Sequence, residues 1–281
     1  MDTALEQIRE QQKQSWNKFS SGWKKWDAFT MDFLRPMGEA IIHSLQLKDK
    51  DLVLDIATGT GEPGLTIARL IPGGKVVGTD LSKDMLIIAL ANAEAKGLKN
   101  YEPLVTDVCE SPFPANTFDA ISCRMGFMFF PDMLLAARQM YRVLKPKGRL
   151  AVAVWAGPQQ NNWVTTILSV IQKQLVLPPP APDAPGMFRC AGPEVMSELF
   201  KKAGFKNIVE KQISGTVDYQ SFERYWEMMM DVGAPIVAAM SGADDATKAA
   251  IKAEVSKEFE SKNIKGEAKL EYAAIIIAAE K

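Results

Sequence analysis

The stretch Val53–Gly64 reads VLDIATGTGEPG. Together with Asp51 and Leu52 before it, its first half is a short apolar run bounded by turn formers, which predicts a buried strand over Asp51–Ala57. The glycines that follow let backbone approach a ligand closely, and Pro63 falls near the first turn of a helix. Such a helix start presents unpaired N–H groups and a partial positive charge. Gly59–Gly64 also matches G-x-G-x-x-G, and Asp80 lies about twenty residues on, where an acid takes ribose hydroxyls. Taken alone, this loop is shared by two different enzyme classes.

Working outward, strands and helices alternate. Lys75–Thr79 reads as a strand ending in Asp80, and Ser82 caps a helix over Lys83–Lys96 that stops at Gly97. Tyr101–Thr106 is a third strand ending in Asp107, and Phe118–Cys123 a fourth. A helix over Asp132–Leu144 stops before Pro146, and Gly148–Trp155 is a fifth strand. This alternation predicts an α/β fold with a doubly wound, mostly parallel sheet. Upstream, residues 3–45 have helical spacing with Trp16, Phe19, Trp23, Trp26 and Phe29 at nearly one aromatic per turn. Downstream come a helix over Trp163–Leu175, a proline-rich run at Pro178–Gly186 and a helix over Pro193–Ala203 ended by Gly204. Lys206–Gln212 is a sixth strand. A helical stretch carrying Phe222, Tyr225, Trp226, Met229 and Met230 then leads to Ala268–Ala279, apolar and partly β-branched, which suits a seventh strand inside the sheet. The expected organisation is an N-terminal helical lid (1–45), a core (46–213) with an insertion at 156–190, a helical insertion over the substrate site (214–264), and the last strand of the sheet (265–281).

Composition removes whole classes of function. Across 281 residues, 33 Lys+Arg balance 34 Asp+Glu, giving a net charge of −1 without the basic footprint of a nucleic-acid binder. An apolar share of 47% and a charged share of 24% are those of a soluble globular protein. Three scattered cysteines, Cys109, Cys123 and Cys190, argue against a disulfide framework and for a reducing compartment. The single histidine, His43, leaves no metal site built on two imidazoles and no Cys/His zinc cluster, so no metal is expected. The N-terminus is too polar for a signal peptide, and the apolar run Ala273–Ile277 is too short to span a bilayer. A cytoplasmic protein is the expectation.

Two acids discriminate between the enzyme classes that share the loop. Asp55, inside the first strand, is unhelpful beside a diphosphate but favourable beside a sulfonium. Asp107 could accept a hydrogen bond from an exocyclic adenine amine, with the Val108 N–H next to it. At this point the chain resembles the class I S-adenosylmethionine-dependent methyltransferases, and among them the small-molecule enzymes related to ubiquinone- and menaquinone-biosynthesis C-methyltransferases. The resemblance is carried in order by VLDIATGTGEPG (53–64), VVGTDLSKDML (76–86), TDVCESPFPANTFDAISCRMGFMFFPD (106–132) and RVLKPKGRLAVAVW (142–155). It implies a Rossmann-like methyltransferase fold with a seven-stranded sheet, and S-adenosyl-L-methionine as cofactor. It further implies that Asp55, Ala57, Thr58, Gly59 and Gly61 surround the methionine part of the cofactor, and that Asp80 holds the ribose hydroxyls. Leu81 and Met85 would then pack on ribose and adenine, Asp107 and Val108 would read adenine, and Arg124 and Met125 would border the methionine moiety and the reacting methyl. Trp23 sits where relatives often carry an aromatic that closes over the cofactor. Ala57-Thr58 departs from the Gly-x that commonly opens the loop, and Gly59 and Gly61 are expected to keep the turn.

The same residues have plainer uses. Asp55 would also suit a carboxylate capping the next helix, and Asp80 an acid at a helix N-terminus. The N-terminal tryptophans equally suit a buried amphipathic face. Methyl transfer needs mainly alignment and exclusion of water, with a base helping O- or C-methylation. No catalytic residue stands out, and Asp27, Asp32 and Tyr225 are only candidate bases. Phe127, Phe129, Trp155, Trp163, Phe188 and Trp226 are the candidate acceptor wall, pointing to a quinol, phenol or other lipophilic small molecule. The expected partner is thus a small-molecule methyl acceptor, with no nucleic acid, no membrane span and a homodimer left open. The rival readings are an NAD(P)-dependent oxidoreductase, a non-catalytic cofactor-binding module, and an arsenite methyltransferase using Cys123 and Cys190.

Overall fold

A computed structural model describes residues 3–175 and 184–281. The proline-rich run at 178–186 therefore lies largely outside the described residues. The chain opens with helices α1 (Thr3–Lys25) and α2 (Asp27–Leu45), then β1 (Leu52–Ile56), α3 (Gly64–Leu70), β2 (Lys75–Asp80) and α4 (Lys83–Ala95). It continues with β3 (Tyr101–Val105), β4 (Phe118–Arg124), α5 (Met133–Val143), β5 (Leu144–Trp155) and α6 (Asn162–Gln174). The last part holds α7 (Val195–Ala203), β6 (Lys206–Asp218), α8 (Phe222–Val232), α9 (Ala234–Met240), α10 (Asp245–Lys262) and β7 (Lys269–Glu280).

The strands form one seven-stranded sheet in the order β3-β2-β1-β4-β5-β7-β6. The first five run parallel, and β7 lies antiparallel between β5 and β6. The central strands are mostly apolar because helices cover both faces. Val53, Leu54 and Ile56 of β1, and Leu150–Val154 of β5, are buried on alternate sides. The strand order reverses between β1 and β4, which opens a crevice at their carboxyl ends. Ser82 caps α4 by accepting the Met85 N–H, and Asp132 caps α5 by accepting the Leu135 N–H. Among the described residues, no helix is long and apolar enough to cross a membrane.

Three elements differ from the sequence expectation. The helical stretch at 3–45 is two helices, broken at Trp26, whose indole N–H donates to Asp231 Oδ2 at 2.8 Å while Lys25 pairs with the same carboxylate at 2.7 Å. Strand β5 starts at Leu144, not Gly148. A bulge opposite Phe118–Ala120 absorbs Lys145–Gly148, including Pro146, which has no N–H to offer a regular ladder. Strand β6 runs on to Asp218, because β7 is long enough to pair with it from Ala278 back to Lys269. The helices that follow span 222–262 and include α8, against which α1 packs so tightly that a Cβ at Gly22 would sit 2.0 Å from the Asp231 carbonyl oxygen.

Candidate functional site

A cavity of about 950 Å³, counted to its mouth, lies at the carboxyl ends of β1 to β4 under α1 and α2. Its floor is the loop after β1. The Thr58 N–H donates to the Thr79 carbonyl at 3.0 Å, and the Gly61 N–H to the Thr58 carbonyl at 2.9 Å, so the chain turns within four residues. Gly59 takes φ +56, and a Cβ there would meet no atom within 4 Å. The loop thus leaves a cradle open to the cavity. Its Gly59 N–H is held by Asp80 Oδ2 at 3.0 Å, while Asp80 Oδ1 accepts the Ser82 N–H at 2.9 Å. Burial raises the pKa of the Asp80 carboxyl, opposed by these N–H bonds and that of Leu81.

Asp55 stands behind this loop, fully buried, and does not line the cavity. Its Oδ2 accepts the Thr58 hydroxyl at 2.5 Å and the Gly64 N–H at 3.0 Å, and its Oδ1 accepts the Ser122 hydroxyl at 2.6 Å. Burial pushes its pKa up to about 6, against the bonds from Ser122 and Thr58, the charge of Arg124 and the Gly64 N–H. This corrects the sequence expectation: Asp55 ties β1, the loop, α3 and β4 together, and its placement is that of the capping carboxylate. Gly61 likewise sits beneath the lining, its α-carbon against Leu65.

Beyond β4 the chain folds back sharply. Met125 takes φ +59 and Ala57 takes φ +54, so two non-glycine residues in the left-handed region of the map border the cavity. They meet through Gly126: a Cβ there would lie 2.4 Å from the Ala57 methyl. The two loops interlock, which gives a test of the departure at position 57. Gly126→Ala should cost about 2–3 kcal/mol of stability through overpacking. Ala57→Gly in the same chain should return most of that loss, as read by a double-mutant cycle in urea.

The structure brings together Trp23, Ala57, Thr58, Gly59, Asp80, Leu81, Met85, Asp107, Val108, Arg124 and Met125 around the one cavity. Asp107 is less open than expected. Its Oδ1 accepts the Cys109 N–H at 2.8 Å, and Arg9 of α1 pairs with its Oδ2 at 2.7 Å and with Glu110 at 2.9 Å. Helix α1 forms the roof with Gln12, Trp16 and Trp23, Trp16 meeting Phe129 edge-on at 5.4 Å. Asn17 Oδ1 accepts the Ser82 hydroxyl at 2.6 Å and fixes that roof to the start of α4.

Of the expected acceptor wall, only Phe129 borders the cavity. Phe127 is fully buried against Phe130 and Phe200. Trp155 and Trp163 are core side chains packed on each other and on Phe33. Phe188 packs against the core outside the lining, next to Arg189, which donates to the Phe130 carbonyl at 2.6 Å. Trp226 lies beside Phe222 with Lys252 over its ring. Among the described residues, none from 156–190 or 214–264 lines the cavity; α8 instead carries α1 through Asp231. Met31 and Leu34 of α2 take the place of those aromatics, at i, i+3 spacing that helical periodicity could have revealed.

None of the candidate bases reaches the lining. Tyr225 is fully buried beside Tyr219 and Phe259, and burial raises its pKa. Asp32 is exposed and pairs with Arg35 at 2.8 Å, and Asp27 lies at the start of α2 outside the cavity. The three cysteines are buried away from it too. Burial pushes Cys109 and Cys190 up to about 12 and raises Cys123, so no thiolate pair is offered to arsenite.

The residues present suit S-adenosylmethionine. Besides the open cradle at Gly59, the Trp23 indole N–H and the Thr60 hydroxyl are buried at the cavity with no hydrogen-bond partner among the described residues. Comparison with known proteins agrees. A sequence profile described as a methyltransferase domain matches residues 53–148. A demethylmenaquinone methyltransferase of Listeria monocytogenes is 31% identical over 172 residues, covering 56% of this chain and 70% of that protein. That of Thermus thermophilus is 43% identical over 109 residues, 39% of this chain and about half (49%) of the relative. In structure, YcgJ from Bacillus subtilis superposes with a TM-score of 0.59 at 20% identity, over 88% of this chain and 98% of the other, a likeness of fold. A nicotinamide-dependent oxidoreductase is not favoured by these matches. The ordered motifs, the loop at the switch point and the relatives converge, and the chain belongs to the class I S-adenosylmethionine-dependent methyltransferases related to those of menaquinone biosynthesis.

Proposed function

We propose that the chain methylates a small aromatic or lipophilic acceptor, a quinol, phenol or related natural product. The observation that carries this reading is the make-up of the lining. Beside the polar groups of Asp80, Thr60 and the loop, it holds the large apolar side chains of Trp16, Trp23, Met31, Leu34, Met125 and Phe129. Such a lining favours a flat apolar molecule over a sugar or phosphate. The relatives' name, demethylmenaquinone methyltransferase, supports the same acceptor class.

When bound, the cofactor supplies an electrophilic methyl carbon on a sulfonium. The chain's own work is to hold, orient and exclude water. In this reading Asp80 takes the ribose hydroxyls, Leu81 and Met85 flank ribose and adenine, and the Val108 N–H and Asp107 face the adenine edge. Residues Ala57–Gly59 surround the methionine part. Arg9 clamps α1 over the adenine end, and Trp16 and Trp23 close the roof. The carboxylates of the lining are Glu62, Asp80 and Asp107, each already engaged by an N–H or a cation. In this reading those carboxylates serve the loop, the neighbouring cations and the ribose, which favours an acceptor that ionises readily, as a quinol or phenol does.

The test is a competition among acceptors. Given S-adenosylmethionine, the protein should turn over 1,4-naphthoquinol and catechol at least about tenfold faster than phosphoethanolamine or glucose, with product followed by mass spectrometry. Equal or faster turnover of the polar acceptors would remove the reading.

A further inference from the structure

A second cavity, of about 800 Å³, lies between α2, the segment from Glu62 to Arg69, and Arg124. It shares Met31, Glu62 and Arg124 with the first cavity, so these three side chains are their common wall. Arg124 is the part of that wall with unmet chemistry. A guanidinium has five N–H donors. Here its hydrogen bonds go to the Leu34 carbonyl and the Met31 sulfur, each at 3.4 Å. Among the described residues, no carboxylate comes within the 4.0 Å of an ion pair with it. Burial disfavours its charge, and the more distant charges of Glu62, Asp55 and Asp27 only partly offset this.

The acids of the second cavity are committed elsewhere or stand at its rim. Asp32 pairs with Arg35 at 2.8 Å, Glu62 holds the Thr66 N–H at 3.0 Å and Lys96 at 3.3 Å, and Glu39 is exposed. Room has also been kept beside Arg124. Glycine inside a helix costs about 1 kcal/mol relative to alanine. At Gly38 of α2 no close contact demands it, since a Cβ would meet only Pro63 at 3.7 Å and Arg124 Nη1 at 3.8 Å.

We infer that the methyl acceptor, seated against the apolar side chains of the first cavity, reaches this common wall, where Arg124 grips an ionised oxygen carried on its aromatic ring and the second cavity takes the part of the molecule that extends past Gly38. This rests on the aromatic-acceptor reading above and adds a charge to it. A fixed cation at the common wall also favours the acceptor's deprotonated form directly. The other source of an oxyanion is the cofactor's own carboxylate, and the experiment separates the two.

The probes are 2-naphthoate and its neutral counterpart 2-naphthamide, titrated calorimetrically into protein saturated with S-adenosylhomocysteine. Wild type should prefer the carboxylate by about tenfold or more. Arg124→Met should erase that preference and Arg124→Lys should keep part of it, the preference being read as the ratio of the two probes within each variant. Gly38→Leu should weaken both naphthyl probes and leave S-adenosylhomocysteine binding alone. Equal binding of the two probes to wild type would overturn the oxyanion grip while leaving the aromatic reading intact; no binding of either would overturn both. If Arg124→Met weakens S-adenosylhomocysteine about tenfold but leaves 5′-methylthioadenosine unchanged, the guanidinium serves the cofactor's carboxylate and the inference fails.

Discussion

Asp55→Ala is expected to lower the stability of the fold by about 4 kcal/mol at pH 5, measured by urea unfolding followed through tryptophan fluorescence. The size follows from what the carboxylate does. It is buried and accepts hydrogen bonds from Thr58, Gly64 and Ser122, which belong to the glycine loop, α3 and β4. Removing it leaves three donors without an acceptor in a space water reaches poorly, and each costs about 1–3 kcal/mol. The loss also depends on pH, with a definite sign. Burial lifts Asp55 to about 6. In the unfolded chain it titrates near 3.9, about the ordinary value. The folded chain therefore holds the proton more tightly, and the stability this group contributes is complete below the unfolded value and lost as pH rises through about 6. Between those values wild type should lose about 1.4 kcal/mol per pH unit relative to Asp55→Ala. A penalty that is small, or that grows with pH, would mean that Asp55 is not the buried tie between these elements.

Much of the fold was legible because its signals are local. Ser82 caps α4 where its hydroxyl predicts it, and the β-branched run at Ile275–Ile277 lies inside the sheet as its apolar character requires. The polar half of the site was legible for a related reason: glycines and acids at strand ends have few other uses. The apolar half was not. Phe127 and Phe129 are two residues apart with the same side chain, yet one is core and the other borders the cavity. Tryptophan has no chemistry that separates a pocket from a core, so Trp155 and Trp163 read as a wall and proved to be packing. Long-range partners were equally hidden. Nothing near Arg9 points to Asp107, and nothing near Trp26 points to Asp231; only the tertiary fold joins them. Asp55 shows the intermediate case, in which the residue was singled out and its simpler role proved to be its position.

The second large effect belongs to Asp80. In the free protein its two oxygens hold the Gly59 and Ser82 N–H groups, leaving further lone pairs directed at the cavity it lines. Hydrogen bonds from ligand hydroxyls to an ionised carboxylate contribute about 1.5–3 kcal/mol each. Two of them, to the ribose, amount to roughly a hundredfold or more in affinity. Asp80→Asn keeps the shape and one acceptor oxygen but loses the charge, so the fold should survive with a loss of about 1–2 kcal/mol while binding suffers far more. The direct measurement is a calorimetric titration of S-adenosylhomocysteine, and separately of NAD, into wild type and Asp80→Asn. The account predicts that wild type binds S-adenosylhomocysteine and not NAD, and that Asp80→Asn weakens this binding about a hundredfold or more while the protein remains folded. Binding of NAD by wild type, or S-adenosylhomocysteine affinity unchanged in Asp80→Asn, would contradict it.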